Sequence, residues 1–149
     1  MTAELIEKIH SLLAECSTLS LATFSADGQL MACNLFFAAE PDLSLVFVSG
    51  ARSRHSLNLM HTPRAAVTIY RPTWDWASIA GVQLEGEVQH LARGPLREAA
   101  WTRYKAKFDF VHKFADEVSR SEFYRFVPGW VRLIDNSAQF GYKEEVRLG

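Results

Sequence analysis

Residues 78 to 91 restrict the fold more than any other part of the chain, because Val82, Leu84, Gly86 and Val88 alternate there with Gln83, Glu85, Glu87 and Gln89. A period of two over that length is a strand with one face toward a core and the other toward water. Glycine weakens a strand interior unless the backbone bulges or is closely approached, so Gly81 and Gly86 are expected at such points. A long one-sided strand needs partners, and the preceding sequence supplies them. Thr18 to Phe24, Leu30 to Ala38 and Leu43 to Ser49 are rich in β-branched, aromatic and small apolar residues. Ala26-Asp27-Gly28 and Glu40-Pro41-Asp42 separate them with turn chemistry, which predicts a three-stranded antiparallel meander. In the third segment Leu45 and Phe47 alternate with Val46 and Val48, so both faces are apolar and something should pack outside it.

Helical spacing appears at both flanks. Leu5, Ile6, Ile9, Leu12, Leu13 and Cys16 recur on one face with Thr2 as N-cap, predicting a helix over 2–16. Ser53 is placed to cap a short helix over 53–61, whose apolar positions are Leu57, Leu59 and Met60, with Pro63 ending it. A strand is expected over 64–71, then an aromatic loop at Pro72-Thr73-Trp74-Asp75-Trp76. Pro95 suits a first helical turn, and Leu96, Ala100, Tyr104 and Phe108 continue the stripe. A shorter helix over 111–119 and strands over 123–135 and 138–143, interrupted by Pro128-Gly129, close the chain. Strands do not alternate with crossover helices and there is no GxGxxG, which excludes a dinucleotide-binding doubly wound fold. The expected class is mainly β, an antiparallel split barrel with peripheral helices, as one domain over 1–149.

A chain of 149 residues with a formal net charge of -1 and no long run of like charge carries no sequence-wide nucleic-acid footprint. No stretch approaches the roughly 18 apolar residues of a membrane span. The start, Met1 to Lys8, is acidic and amphipathic, unlike a signal peptide, so the expected location is cytoplasmic. Cys16 and Cys33 are not in a CxxC arrangement and read as buried free thiols. No GxSxG, P-loop, HExxH or metal-spaced cysteine pair is present, so no catalytic residue or metal is assigned and any chemistry is expected from a cofactor. The most suggestive segment is Ser49-Gly50-Ala51-Arg52-Ser53-Arg54-His55, which brings hydroxyls, guanidiniums and an imidazole to a helix N-terminus. Free N–H groups and the positive dipole end favour an anion there, and arginine grips phosphate bidentately. On composition alone the same residues also read as a capped helix with solvated arginines.

The segments LSLATFSADGQL, FVSGARSRHSLNLMHTPRAAVTI and GVQLEGEVQHL, between Ser20 and His90, resemble the pyridoxamine 5'-phosphate oxidase-like FMN-binding split barrels. GVQLEGEVQHL together with the C-terminal LIDNSAQFGYKEE is similar to a small bacterial subgroup of that superfamily with no assigned reaction. The resemblance implies FMN, with its phosphate held by Ser49, Ser53, Arg54 and His55, the last standing where relatives often carry lysine. It implies that Gln83 approaches the flavin ring and that the second strand, with Asn34, Leu35, Phe36 and Phe37, lines it. At least one of the two phenylalanines is expected in the core, because successive strand residues point oppositely. The implied cofactor set is Asn34, Phe36, Val48, Ser49, Ser53, Arg54, His55 and Gln83, while Trp74, Trp76 and Trp130 are further leads for ring stacking.

The arginine or lysine that many oxidases place on the second strand is missing, and the C-terminal segment does not resemble the one that recognises pyridoxine phosphate. Oxidation of vitamin B6 is therefore not expected. The resemblance further implies a homodimer with two flavins between subunits, its interface formed by the outward face of the long strand and the apolar face of the third. The leading expectation is an FMN-dependent oxidoreductase acting on an unidentified small substrate. The alternatives are a flavin-binding module without turnover, such as a redox sensor or store, a relative carrying haem or a deazaflavin, and a barrel that only binds protein.

Overall fold

The computed structural model describes residues 2–149. It opens with helix α1 (Ala3–Glu15), followed by strands β1 (Thr18–Phe24), β2 (Leu30–Ala39) and β3 (Leu45–Ser49). Helix α2 (Arg54–His61) leads to β4 (Arg64–Tyr70) and, past a 3-10 turn at Trp76–Ser78, to β5 (Ala80–Leu91). Helices α3 (Pro95–Lys107) and α4 (Ala115–Ser119) precede β6 (Glu122–Asp135) and β7 (Lys143–Arg147). The caps follow the sequence signals. Thr2 Oγ1 accepts from Leu5 N–H at 3.2 Å at the start of α1, and Ser53 Oγ accepts from Ser56 N–H at 3.3 Å at the start of α2.

All strand pairings are antiparallel, in the order β3-β2-β1-β4-β5-β6-β7, and a further β3–β6 pairing closes the first six strands into a barrel. The split lies in β6. Its first part, Glu122 to Phe126, pairs with β3, and its later part, Trp130 to Ile134, pairs with β7. Between them, Gly86 of β5 faces Pro128 while Glu85 faces Trp130, so Gly129 is an extra, bulged residue. Pro128 has no N–H to donate, which suits a point where a strand changes partners. Gly86 is required by that approach, since a Cβ there would lie 2.2 Å from the Val127 carbonyl oxygen.

The barrel interior holds Leu19, Leu21, Phe37, Phe47, Val82, Leu84, Phe126 and Val131, and α1 adds Leu5, Ile9, Leu12 and Leu13 to the same cluster. Each such side chain contributes about 1.5–3 kcal/mol on burial. Outside β3, Val46 joins Ala38, Leu91, Phe123 and Ala100 of α3 in a second cluster. The two-sided apolar pattern of β3 thus has its cover: the outer face of β3 is packed by α3 of the same chain.

Other boundaries shift. The strand expected over 138–143 is displaced to 143–147, because residues 136–141 form a turn in which Asn136 Oδ1 accepts from Gly141 N–H at 3.1 Å. The helix expected over 111–119 is divided into a 3-10 turn, Asp109–His112, and α4. Leu43 precedes β3 with φ of 71°, closing the tight turn at Pro41 and Asp42. Among the described residues no helix is long and apolar enough to cross a membrane.

Candidate functional site

The face that α2 buries is polar. His55, Ser56 and Asn58 are buried together with Leu59, whereas Leu57 and Met60 are 54% and 82% exposed. Of the helix's three apolar positions only Leu59 is therefore buried. Where α2 meets β1 and β2, its buried polar side chains Asn58 and His55 find partners in Thr23 and Cys33. Asn58 Nδ2 donates to Thr23 Oγ1 at 3.0 Å, a buried bond that fixes the helix against β1.

His55 is the centre of a chain of polar contacts. Its Nε2 lies 2.5 Å from Ser49 Oγ and 3.1 Å from Ser53 Oγ, and its Nδ1 lies 3.4 Å from Cys33 Sγ. Ser49 and Ser53 hydroxyls are 3.3 Å apart. Burial pushes the His55 pKa below its ordinary value and the Cys33 thiol above its own, so the pair faces neutral pH as imidazole and thiol. Histidine in place of lysine therefore contributes a dipole here, and the positive charge falls to Arg52 and Arg54, both exposed. Arg54 reaches Gln29 Oε1 only at 3.5 Å, at the outer limit of a hydrogen bond. Nearby, the Asp27 carboxyl is held below its usual range chiefly by the Ser25 hydroxyl, with a smaller contribution from Arg54.

The second group of site residues stands on the outer barrel face. Asn34, Ser20, Thr68, Gln83 and Arg132 are successive register partners across β2, β1, β4, β5 and β6, a polar row that continues to Glu145 on β7. Ser20 Oγ donates to Asn34 Oδ1 at 2.6 Å, and Arg132 Nε donates to Glu145 Oε2 at 2.9 Å. The adjacent row is Ala32, Ala22, Ala66, Glu85 and Trp130, so three exposed alanines leave this part of the sheet flat. Gln83 lies on this outer face, as the alternation in β5 required. Sequence reasoning missed Ser20, Thr68 and Arg132, since their alignment with Gln83 depends on cross-strand register. A pattern within one strand cannot show it.

The remaining expected residues separate. Phe37 is fully buried, whereas Phe36 is 44% exposed and packs edge-on to Phe108 at 5.3 Å. Val48 packs against the outer cluster beneath α3 rather than facing the polar row. Trp74 is fully exposed, Trp76 stacks on Phe140 at 5.5 Å, and Trp130 lies 4.9 Å from the Arg132 guanidinium.

The donor set at the start of α2 suits a phosphate. It combines two hydroxyls, first-turn N–H groups and exposed guanidiniums, and among the described residues no carboxylate is hydrogen-bonded into it. Bordering it at Ala51 and Ser56, a hollow of about 340 Å³ between α2 and the ends of β5 and β6 is further lined by Leu59, Met60, Val88 and Tyr124. A His90–Glu122 pair at 2.5 Å borders that hollow.

A family model described as pyridoxamine 5'-phosphate oxidase matches residues 5–135. No curated protein matches the chain. Among solved structures, a haem binding protein from Mycobacterium smegmatis is 19% identical at a TM-score of 0.81, covering 99% of this chain and 59% of that one. The chain thus spans less than two thirds of that protein's length. HutZ, the haem storage protein from Vibrio cholerae, is 16% identical at a TM-score of 0.71, covering 82% of this chain and 88% of its own. General Stress Protein 26 from Bacillus anthracis is 18% identical at a TM-score of 0.72, covering 97% and 99%. At these identities the likeness is one of fold.

Proposed function

The chain belongs to the pyridoxamine 5'-phosphate oxidase family, and from that premise we propose that it binds FMN between two copies of itself for oxidoreduction of a small substrate. The observation that carries this reading is the polar cluster at the start of α2, where Ser49, Ser53 and His55 lie within 3.3 Å of one another beside Arg54. In it the Ser49 and Ser53 hydroxyls and the Arg54 guanidinium would hold the phosphate, with buried His55 orienting the hydroxyls. Asn34 and Gln83, in one register row, would present amide groups to the ring, and Phe36 would cover its edge. The bound flavin supplies hydride or electron transfer, and the chain's part is to orient the ring and exclude water.

The outer face supports a second copy as partner. It is flat at Ala22, Ala32 and Ala66 and carries the exposed side chains of Phe36 and Tyr70, and a two-fold pairing is the commonest way to cover such a patch. The third strand's outer face takes no part in it, being covered by α3.

Haem is the second reading, favoured by two structural relatives described as haem binding and haem storage proteins. It requires an axial ligand. His55 is engaged with Ser49 and Cys33, His90 with Glu122, and His10 with the Pro41 carbonyl at 3.1 Å, which leaves the exposed His61 and His112. The absorbance spectrum of the purified protein tests the proposal. The two-banded visible spectrum of flavin is the expected result, and a Soret band in its place would transfer the site to haem. A flavin that binds but is never reduced by any candidate donor would make the protein a store or sensor.

A further inference from the structure

We propose that Cys33 fixes the tautomer of His55, and that through it the proton of the Ser49 hydroxyl is aimed at the anion seated at the start of α2. The tautomer stands on the geometry alone, and its consequence for a phosphate rests on the FMN reading above.

A neutral imidazole carries one N–H and one bare nitrogen, and the hydrogen bond made by one nitrogen selects the state of the other. Two arrangements fit the distances. In the first, Nδ1–H points at Cys33 sulfur, a weak acceptor, and bare Nε2 takes the proton of Ser49. The Ser49 oxygen then shows only lone pairs to an incoming anion, which repels it. In the second, the Cys33 S–H donates to bare Nδ1 across 3.4 Å, and Nε2–H donates to Ser49 Oγ across 2.5 Å. The bond to Ser49 is sound in both arrangements, and the choice falls on the sulfur contact: imidazole nitrogen is a better acceptor for S–H than thiol sulfur is for N–H, which favours the second. It also releases the Ser49 proton to point outward.

Ser53 agrees with this choice. Its proton is drawn to the Gly50 carbonyl at 2.9 Å or Ser56 Oγ at 2.8 Å, so at 3.1 Å from Nε2 it is better placed to accept than to donate. Burial keeps the thiol protonated and the ring uncharged, which preserves the donor at one end and the single N–H at the other. The chain then runs from Cys33 S–H to Nδ1, from Nε2–H to Ser49, and from Ser49 O–H to the ligand. Cys33, two layers from the anion, acts as a positioning residue.

Imidazole nitrogen-15 resonances of His55, recorded on ligand-free protein, test the tautomer without any cofactor. The wild type should show Nε2–H, Cys33→Ser should keep it because the hydroxyl replaces the thiol as donor, and Cys33→Ala should give a mixture of tautomers. An Nδ1–H ring in the wild type, or a Cys33→Ala spectrum identical to wild type, would overturn the proposal. In parallel, the ratio of FMN to riboflavin affinity should fall roughly three- to tenfold in Cys33→Ala and recover in Cys33→Ser. Wild-type protein that binds the two flavins equally would instead sink the phosphate reading, and the imidazole spectra would still decide for or against Cys33.

Discussion

Helices α1 and α2 are both capped by a hydroxyl residue and both pack on the barrel, yet they bury opposite chemistry. The buried side of α1 is Leu5, Ile9, Leu12 and Leu13, four aliphatic side chains in the main core. α2 buries His55, Ser56 and Asn58 with a single leucine, and leaves Leu57 and Met60 in solvent. Aliphatic burial stabilises without direction, whereas a buried polar side chain costs free energy unless each of its groups is paired. α1 therefore contributes stability. α2 holds oriented donors and acceptors against Ser49, Thr23 and Cys33, the kind of arrangement that positions a ligand.

Substitutions can break or sharpen that contrast. The largest expected effect is in α1: Ile9→Ala should lower unfolding free energy by about 2–5 kcal/mol, read from urea unfolding, and leave FMN affinity of the folded fraction unchanged. In α2, Asn58→Ala orphans Thr23 Oγ1 and should cost about 1–3 kcal/mol. Equal losses of FMN binding in both variants would erase the distinction between the helices. Arg54→Ala should leave unfolding unchanged and weaken FMN by roughly tenfold, about 1.5 kcal/mol, as measured by fluorescence quenching.

A smaller effect comes from pH. The His55 pKa is lowered by burial, so below its ordinary value of 6.5 the unfolded chain takes up a proton that the folded one refuses. Stability should accordingly be full above 6.5 and decline as pH falls toward the folded value, and His55→Gln should flatten that decline. The smallest effect is expected at Leu57→Ser and Met60→Ser, each within about 0.5 kcal/mol of wild type by thermal unfolding.

The barrel was legible because its signals are local. The alternation in β5, the turn residues between β1, β2 and β3, and the caps at Thr2 and Ser53 each act within a few residues, and the six barrel strands β1 to β6 follow the expected bounds to within about two positions. The grouping of Ser49, Ser53, Arg54 and His55 around the start of α2 was legible for the same reason, since they are close in sequence. What escaped depends on distant partners. Which side of α2 turns inward depends on Thr23 and Cys33, which come opposite Asn58 and His55 only in the folded chain. The row of Asn34, Ser20, Thr68, Gln83 and Arg132 exists only through register, and the cover over Val46 comes from a helix some fifty residues later.

The central claim is that the start of α2 grips the phosphate of FMN. A titration of cofactor-free protein with FMN and with riboflavin, followed by quenching of flavin fluorescence, isolates that phosphate, because the two ligands share one ring. FMN should bind at least about tenfold more tightly than riboflavin. Equal affinities, or no binding of either, would contradict the assignment of Ser49, Ser53 and Arg54 as the phosphate site.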